Sequence, residues 1–319
     1  MLRIFTVLAD YLTYDLFNMN ANSHLAKSIH FFIEDTSKIF VLLVIMVYGI
    51  AVIRASINIE TIRDYLSGKN RFIGYFLASI FGAITPFCSC SSIPLFLGFT
   101  QANIPIGITM SFLITSPMIN EVAVLLLGSI LGLKFMIIYV VIGMISGIVG
   151  GWFFDATKAE KHLLVFKQND IQQRVAEKKQ LSLKDRHEFA KYELQEIVGR
   201  VWKYIIIGVG LGALLHGYIP EEFISTYFHG RAWWNVPLVV LTGIPLYSNV
   251  NGVIPVAQSL INKGLPIGTA IAFMMSMSAA SFPEFMMLKQ VMKPRLLITF
   301  FILLLVLFTI NGWVLNIIF

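Results

Sequence analysis

Thr85-Pro86-Phe87-Cys88-Ser89-Cys90-Ser91-Ser92-Ile93-Pro94 lies between two strongly apolar segments and holds the only two cysteines of a 319-residue chain. Each proline removes a backbone donor and clashes with the preceding turn, and freed backbone groups are costly in hydrocarbon. Such a decapeptide belongs to a protein-enclosed cavity rather than a lipid-facing helix. Its surroundings are membrane-like: 57% of the chain is hydrophobic and only 13% charged, far from the balance of an ordinary soluble domain. The segment from Met1 to Asn22 carries Asp10 and Asp15 and lacks a compact apolar run with a cleavage site, so it does not read as a secretory signal. Its amphipathic stretch Ile4 to Met19 reads instead as an interfacial helix.

Working outward from the decapeptide, the second half of the chain repeats the first at a spacing of 161 residues. Ile93-Pro94 matches Ile254-Pro255, Pro105-Ile106-Gly107 matches Pro266-Ile267-Gly268, and Phe112 matches Phe273. Gly49 matches Gly210, and Gly151-Trp152 matches Gly312-Trp313. One register therefore holds from end to end, the signature of an internal transporter repeat rather than a solenoid.

Charge placement points to inversion of the two repeats. Arg54, Arg63, Lys69 and Arg71 follow the first apolar segment of repeat one, whereas the matching loop of repeat two carries Glu221, Glu222 and Arg231. Lys134 stands nearly alone later in repeat one, while Lys289, Lys293 and Arg295 cluster at the matching place in repeat two. Placing those basic loops, the stretch 155–203 and Lys263 in the cytoplasm accounts for 19 of the 24 lysines and arginines, as the positive-inside rule asks. The +6 net charge is thereby explained by membrane orientation, and no nucleic-acid partner is expected.

The expected architecture is an all-α polytopic membrane protein of two inverted repeats, each with about five membrane segments, discontinuous helices and broken hairpins. Residues 1–35 form an N-terminal amphipathic segment, 36–155 repeat one, 156–199 a basic cytoplasmic linker and 200–319 repeat two. The location expected is the bacterial inner membrane, multi-pass, with both termini outward.

The repeat also locates a candidate site. The counterpart of the decapeptide, Ile244-Pro245-Leu246-Tyr247-Ser248-Asn249-Val250-Asn251-Gly252-Val253-Ile254-Pro255, is again polar and bracketed by prolines. Paired breaks in two inverted halves are the best sequence pointer to a transporter site. The substrate-binding candidates are therefore Cys88, Ser89, Cys90, Ser91, Ser92, Ser248, Asn249 and Asn251. Pro86, Pro94, Pro117, Pro245, Pro255 and Pro283 are the candidate helix breaks. Glu121 and Glu284 are candidate proton carriers, since intramembrane ionisable groups are functional by default; the plain alternative places both in the interface. Packing is the plain alternative for the cysteines and for the scattered methionines, and His216 reads as interfacial.

Thr85-Pro86-Phe87-Cys88-Ser89-Cys90-Ser91, followed by Ile93-Pro94, Pro105-Ile106-Gly107 and Thr115-Ser116-Pro117, resembles the arsenic-permease-like family of bacterial predicted permeases over nearly the full chain. The resemblance implies a multi-spanning inner-membrane efflux permease, some of whose members export trivalent organoarsenicals. The Cys-Ser-Cys-Ser run is its most specific part.

Chemistry narrows the cargo. Soft thiolates select soft acceptors, and two thiols suit an arsenical with one fixed carbon and two displaceable hydroxyls. Inorganic arsenite, with three positions, would ask for a third thiol. The cysteines are thus read as free thiols giving transient metalloid ligation, with no permanent metal and no cofactor. Other classes stay open: a Cu(I) or soft-metal exporter using methionines such as Met274, Met275, Met277, Met286 and Met287, or an anion or metabolite permease bound at helix termini. A cysteine-dependent membrane enzyme is disfavoured because no Cys/His pairing with an orienting acid is visible. No P-loop is present, so secondary transport, with a proton as the candidate coupling ion, is the default expectation.

Overall fold

The computed structural model describes residues 3–20, 23–56, 71–85, 89–101, 104–119, 124–125, 128–129, 131–164, 182–218, 232–244, 257–261, 264–289 and 291–319. Among them the chain is helical, with one isolated antiparallel bridge, Leu163 to Met292. In chain order the helices are α1 (Arg3–Asp10), α2 (His24–Ser56), α3 (Arg71–Ile84), α4 (Ser89–Gln101), α5 (Ile106–Met118), α6 (Leu133–Ala156), α7 (Leu183–Tyr218), α8 (Asn235–Gly243), α9 (Ile267–Ala279), α10 (Phe282–Leu288) and α11 (Pro294–Ile318). A π-helical turn, Tyr11–Leu16, follows α1.

Adding 161 to the limits of α5 reproduces those of α9, and adding 161 to Leu133 gives Pro294, the first residue of α11. The starts of α5 and α9 follow from their prolines. Pro105 and Pro266 cap them in the same extended conformation, with ψ of 136° and 139°, and the missing proline donor is no loss where helical amides are unpaired anyway. The ends also coincide, with the Ile119 amide donating to the Thr115 carbonyl and the Ala280 amide to the Ser276 carbonyl, each at 3.0 Å.

α5 and α9 form the centre. Every residue of α5 is buried, as are eleven of the thirteen in α9. α5 packs on α3, α4 and α6, α9 packs on α8 and α11, and the two central helices touch each other. Around them, α6 and α11 are long and apolar enough to cross a membrane; 24 residues at 1.5 Å each span the roughly 30 Å of hydrocarbon. Ile137, Val141, Ile145 and Val149 form an outward row on α6, and Ile298, Ile302, Val306 and Ile310 form the same row on α11. All eight are 43–56% exposed. Two such ridges of branched aliphatics are favourable against lipid and unfavourable against water.

Two pairs of long helices run antiparallel. On α2 and α7, the Tyr48 hydroxyl meets His187 Nδ1 at 2.7 Å, Ala51 packs with Phe189 and Ala190, and Phe32 lies beside Gly210. On α6 and α11, Ser146 donates to Asn311, Phe154 packs on Phe300 and Phe135 on Phe319. In each pair residue numbers fall on one helix as they rise on the other. α2 runs unbroken across residue 35 and α7 across residue 199, so helix ends do not mark the segment boundaries expected there. The N-terminal part of α7 is packed rather than wholly solvated: Phe189, Ala190 and Glu193 are buried.

Glycines set the tightest approaches. A Cβ on Gly107 would sit 2.7 Å from the Gly151 carbonyl oxygen, and one on Gly151 would overlap the Gly107 carbonyl. Gly268 and Gly312 repeat the arrangement between α9 and α11. Replacing Gly151 or Gly312 by Ala forces backbones apart and should destabilise by about 1–3 kcal/mol. Gly49→Ala, where a Cβ meets nothing within 4 Å, should be neutral or slightly stabilising. Melting temperatures of the detergent-solubilised variants test this, and equal effects at all three positions would refute it.

Candidate functional site

The polar break predicted over Thr85 to Pro94 is shorter than the sequence implies. α3 closes with the Thr85 amide and hydroxyl both donating to the Phe81 carbonyl, at 3.1 and 2.6 Å, and α4 is already helical at Ser89. Ser89, Cys90, Ser91 and Ser92 thus build the first turn of α4, and Pro94 lies inside that helix instead of ending it. Helical proline is tolerated in membranes because neighbours re-satisfy the freed groups. Pro94 nonetheless removes the amide that would bond the Cys90 carbonyl. The side chains of Ser89, Cys90, Ser91 and Pro94 lie outside the described set, as do residues Pro86, Cys88, Glu121, Pro245, Ser248, Asn249, Asn251 and Pro255 in full.

The first turn of α4 lies against the central helix α5. Ser92 is fully buried, and its Oγ lies 2.8 Å from Ser116 Oγ on α5. Pro117 follows at the penultimate position of α5, where it permits one further residue before the chain turns extended at Ile119. Pro283 opens α10 instead of breaking α9. α9 ends at Ala279, Ser281 is extended, and the proline occupies the first turn of α10, where its fixed φ suits a helix start. Glu284 sits in that same first turn, 1% exposed, on a helix that packs against both α4 and α7. A carboxylate there is favoured by the helix N-terminus.

A seam of buried hydroxyls runs beside Ser116 along α3, α5 and α6. Ser111 donates to the Tyr75 carbonyl at 2.9 Å, Thr115 donates to the Ser111 carbonyl at 2.8 Å, and Ser79 bridges Thr115 Oγ1 at 3.0 Å and the Met144 carbonyl at 3.1 Å. Gly147 makes room for it, since a Cβ there would overlap the Thr115 hydroxyl. Nothing in the sequence alone singles out Ser79, Ser111, Ser146 or Asn311. A lone serine in an apolar helix carries no local signal, and only its contact with Thr115 marks it. At one end of the bundle Asp155 accepts from Arg71 at 2.5 Å and from the Tyr75 hydroxyl at 2.6 Å. The salt bridge raises the pKa of the exposed Arg71 guanidinium above its ordinary value. In the matching place, Asn316 accepts from the Thr269 amide and donates to its hydroxyl.

Among the described residues no three His, Cys, Asp or Glu side chains cluster to hold a metal. Met274, Met275 and Met277 are buried in the apolar core, the packing role expected of flexible thioethers. The site is therefore a hydroxyl-rich seam, with the thiol-bearing turn of α4 against a fully covered helix.

Ser92→Ala and Ser116→Ala should each destabilise by about 1 kcal/mol, with the double variant losing less than the total of the two. Thermal denaturation of the four proteins measures the coupling, and strict additivity would show that the bond carries none.

Residues 24–317 match the ArsP_1 family, described as a predicted permease. The chain is similar to the UPF0718 protein MJ0584 of Methanocaldococcus jannaschii, 23% identical over 86% of this chain and 90% of that one. It is also similar to the UPF0718 protein YraQ of Escherichia coli K12, 24% identical over 79% of this chain and 74% of that one. A Streptococcus mutans protein named as a subunit of a two-component membrane permease complex is 20% identical over 76% of this chain and 79% of its own length. No solved structure matches significantly.

Proposed function

We propose a transport cycle and a cargo for this chain, which belongs to the ArsP_1 family of predicted permeases. The chain is a membrane permease. Its cargo, in this reading, is a thiophilic trivalent organoarsenical such as methylarsenite, exported across the bacterial inner membrane by secondary transport with the linker 156–199 in the cytoplasm.

The observation that carries the reading is the position of the Cys-Ser-Cys-Ser run. Its helical part, Ser89 to Ser92, opens α4 and is pinned to the wholly buried α5 through Ser92 and Ser116. Soft sulfur ligands select a soft metalloid over hard oxygen-seeking ions. Residues two apart on a regular helix point away from one another, so joint ligation requires residue 88 to lie off the helix that carries Cys90. Each thiol displaces one hydroxyl from arsenic as water, so two As–S bonds form, two water molecules leave and no oxidation state changes. Water or another thiol reverses the exchange at release. Ser89, Ser91 and Ser92, with Ser248, Asn249 and Asn251 from the other half, line the path.

Inverted repeats supply the alternation of access. This is supported by the antiparallel course of two pairs of 161-shifted helices, α2 with α7 and α6 with α11. Two inverted copies of one structure exchange conformations to open first one side and then the other. Glu284 and Glu121 remain candidate proton carriers, and Pro86, Pro245 and Pro255 candidate hinge points. The Streptococcus relative's name places it in a two-component complex; by that likeness a second subunit is a candidate partner here too.

Everted vesicles supplied from the medium with methylarsenite, arsenite, antimonite or Cu(I) test the cargo. Wild type should accumulate methylarsenite well above inorganic arsenite, and the Cys88→Ser/Cys90→Ser variant should lose both uptake and the resistance phenotype while expressing normally. Full transport by that variant would sink the thiol mechanism. Cu(I) uptake abolished by methionine substitutions in α9 would transfer the site to a soft-metal exporter.

A further inference from the structure

Asp35 is a buried carboxylate that neither the sequence motifs nor the cargo site accounts for. It is 4% exposed, and its Oδ2 makes no hydrogen bond among the described residues. It lies on α2 one turn before the apolar run that starts at Ile39. Interpolating between the Tyr48–His187 and Phe32–Gly210 contacts sets it against the stretch of α7 around Ile205 and Val209, both buried and apolar. A carboxylate held there with an open oxygen is an expensive arrangement unless it takes up a proton.

Its position relative to the duplication adds a second observation. A residue of α2 and its counterpart 161 positions later meet where α2 and α7 cross, near Phe40 and Val201. Asp35 stands about one turn to one side of that crossing. Its counterpart is Glu196, on α7 and about one turn to the other side. By residue number, the opening helices of the two halves thus carry one acid each, on either side of that crossing.

We propose that Asp35 is a proton-binding site of the permease, loaded when α2 and α7 are closed on it and unloaded when they part and water reaches it. The proposal rests on the reading of the chain as a secondary exporter with moving halves. Burial of Asp35 between those halves makes its proton occupancy depend on how they sit, and this dependence is what couples a proton to a conformational cycle.

The charges around Asp35 are few and mostly committed elsewhere. Lys38 and Glu34 on α2 act on it in opposite senses and pair with each other at 2.6 Å. His30 pairs with Asp10 of α1 at 2.8 Å and stacks on Tyr14 of the π-helical turn, which also carries Asp15. On α7 the described cation nearby is Lys203, over the Trp202 ring. The described side chains of α4, which also packs on α2, bear no charge. Desolvation dominates, raising the Asp35 carboxyl from 3.8 to about 6. Because the folded value is the higher one, the contribution of Asp35 to stability is present in acid and lost as pH rises through about 6.

Purified protein tests the site without any cargo. The melting temperature of wild type should fall between pH 5 and pH 7.5 by more than that of Asp35→Asn, and an infrared carboxyl band titrating in that window should vanish in the variant. Identical pH dependence in both proteins would overturn the proposal, whatever the cargo. In proteoliposomes, Asp35→Asn should keep methylarsenite exchange at equal pH on both sides but lose accumulation driven by a pH gradient, whereas Asp35→Glu should keep accumulation with a displaced pH profile. Gradient-driven accumulation by Asp35→Asn at the wild-type level also overturns it. Should wild type carry no methylarsenite at all, the cargo assignment fails while the melting and infrared results still decide the proton site.

Discussion

Carbonyl oxygens of Gly107 and Gly151, and again of Gly268 and Gly312, lie where any larger residue would need space for its Cβ. This close approach seats the central helices α5 and α9 against their long neighbours α6 and α11. In hydrocarbon there is little hydrophobic drive to bring helices together, so association leans on van der Waals contact and interhelical hydrogen bonds, both of which need small residues at the seam. The same seam holds Gly147, without which the Thr115 hydroxyl has no room and the Ser79–Thr115–Ser111 bonds cannot form. The hydroxyl seam is thus a consequence of the glycine packing, and the thiol-bearing turn is tied to a helix already held in place, through the Ser92–Ser116 bond and the buried Ile93 and Phe96 of the same helix.

Much of this frame was legible from spacing. Pro105-Ile106-Gly107 and Pro266-Ile267-Gly268 each combine an N-terminal cap with the glycine of the close contact, so one tripeptide marks both where a helix starts and where it touches its neighbour. The apolar run from Phe135 marks a membrane-length helix for the ordinary reason of length and hydropathy. Helix limits near proline were less legible. Pro94 and Pro283 look equivalent as breakers in sequence, yet one sits inside α4 and the other begins α10. Proline forbids a donor at its own position, and whether the helix continues past it depends on neighbours that a single sequence does not display.

The candidate site divides along the same line. Clustered signals such as Cys88, Ser89, Cys90 and Ser91 stand out because several unusual residues are adjacent. Ser79 and Asn311 are single polar residues in apolar helices, and Asp35 lies in a stretch already rich in His30, Glu34 and Lys38. Their significance comes from burial and from partners more than 30 positions away, Thr115 for Ser79 and Ser146 for Asn311. For Asp35 it comes from an apolar surface on another helix. None of that leaves a periodic trace in the chain.

Helices α5 and α9, and the starts of α6 and α11, coincide at the 161-residue spacing while the groups around them differ in chemistry, and the difference bears on direction. Asp155, bonded to Arg71 and Tyr75, occupies the place where the second half has Asn316 bonded to Thr269. Gly150 stands where the second half has Asn311, and the cysteine pair falls opposite Ser248, Asn249 and Asn251. Two identical inverted halves would make the outward- and inward-open states equal in energy, because exchanging the halves converts one into the other. Each unmatched ion pair or buried amide lifts that equality by favouring the packing in which it is satisfied, and a ligand shifts populations only through its differential affinity for the two states. In the proposed cycle the duplicated glycine seam lets both states exist at similar energy. The unmatched groups, Asp155 with Arg71, Asn311 with Ser146 and the thiols on one half alone, then set which state holds the cargo.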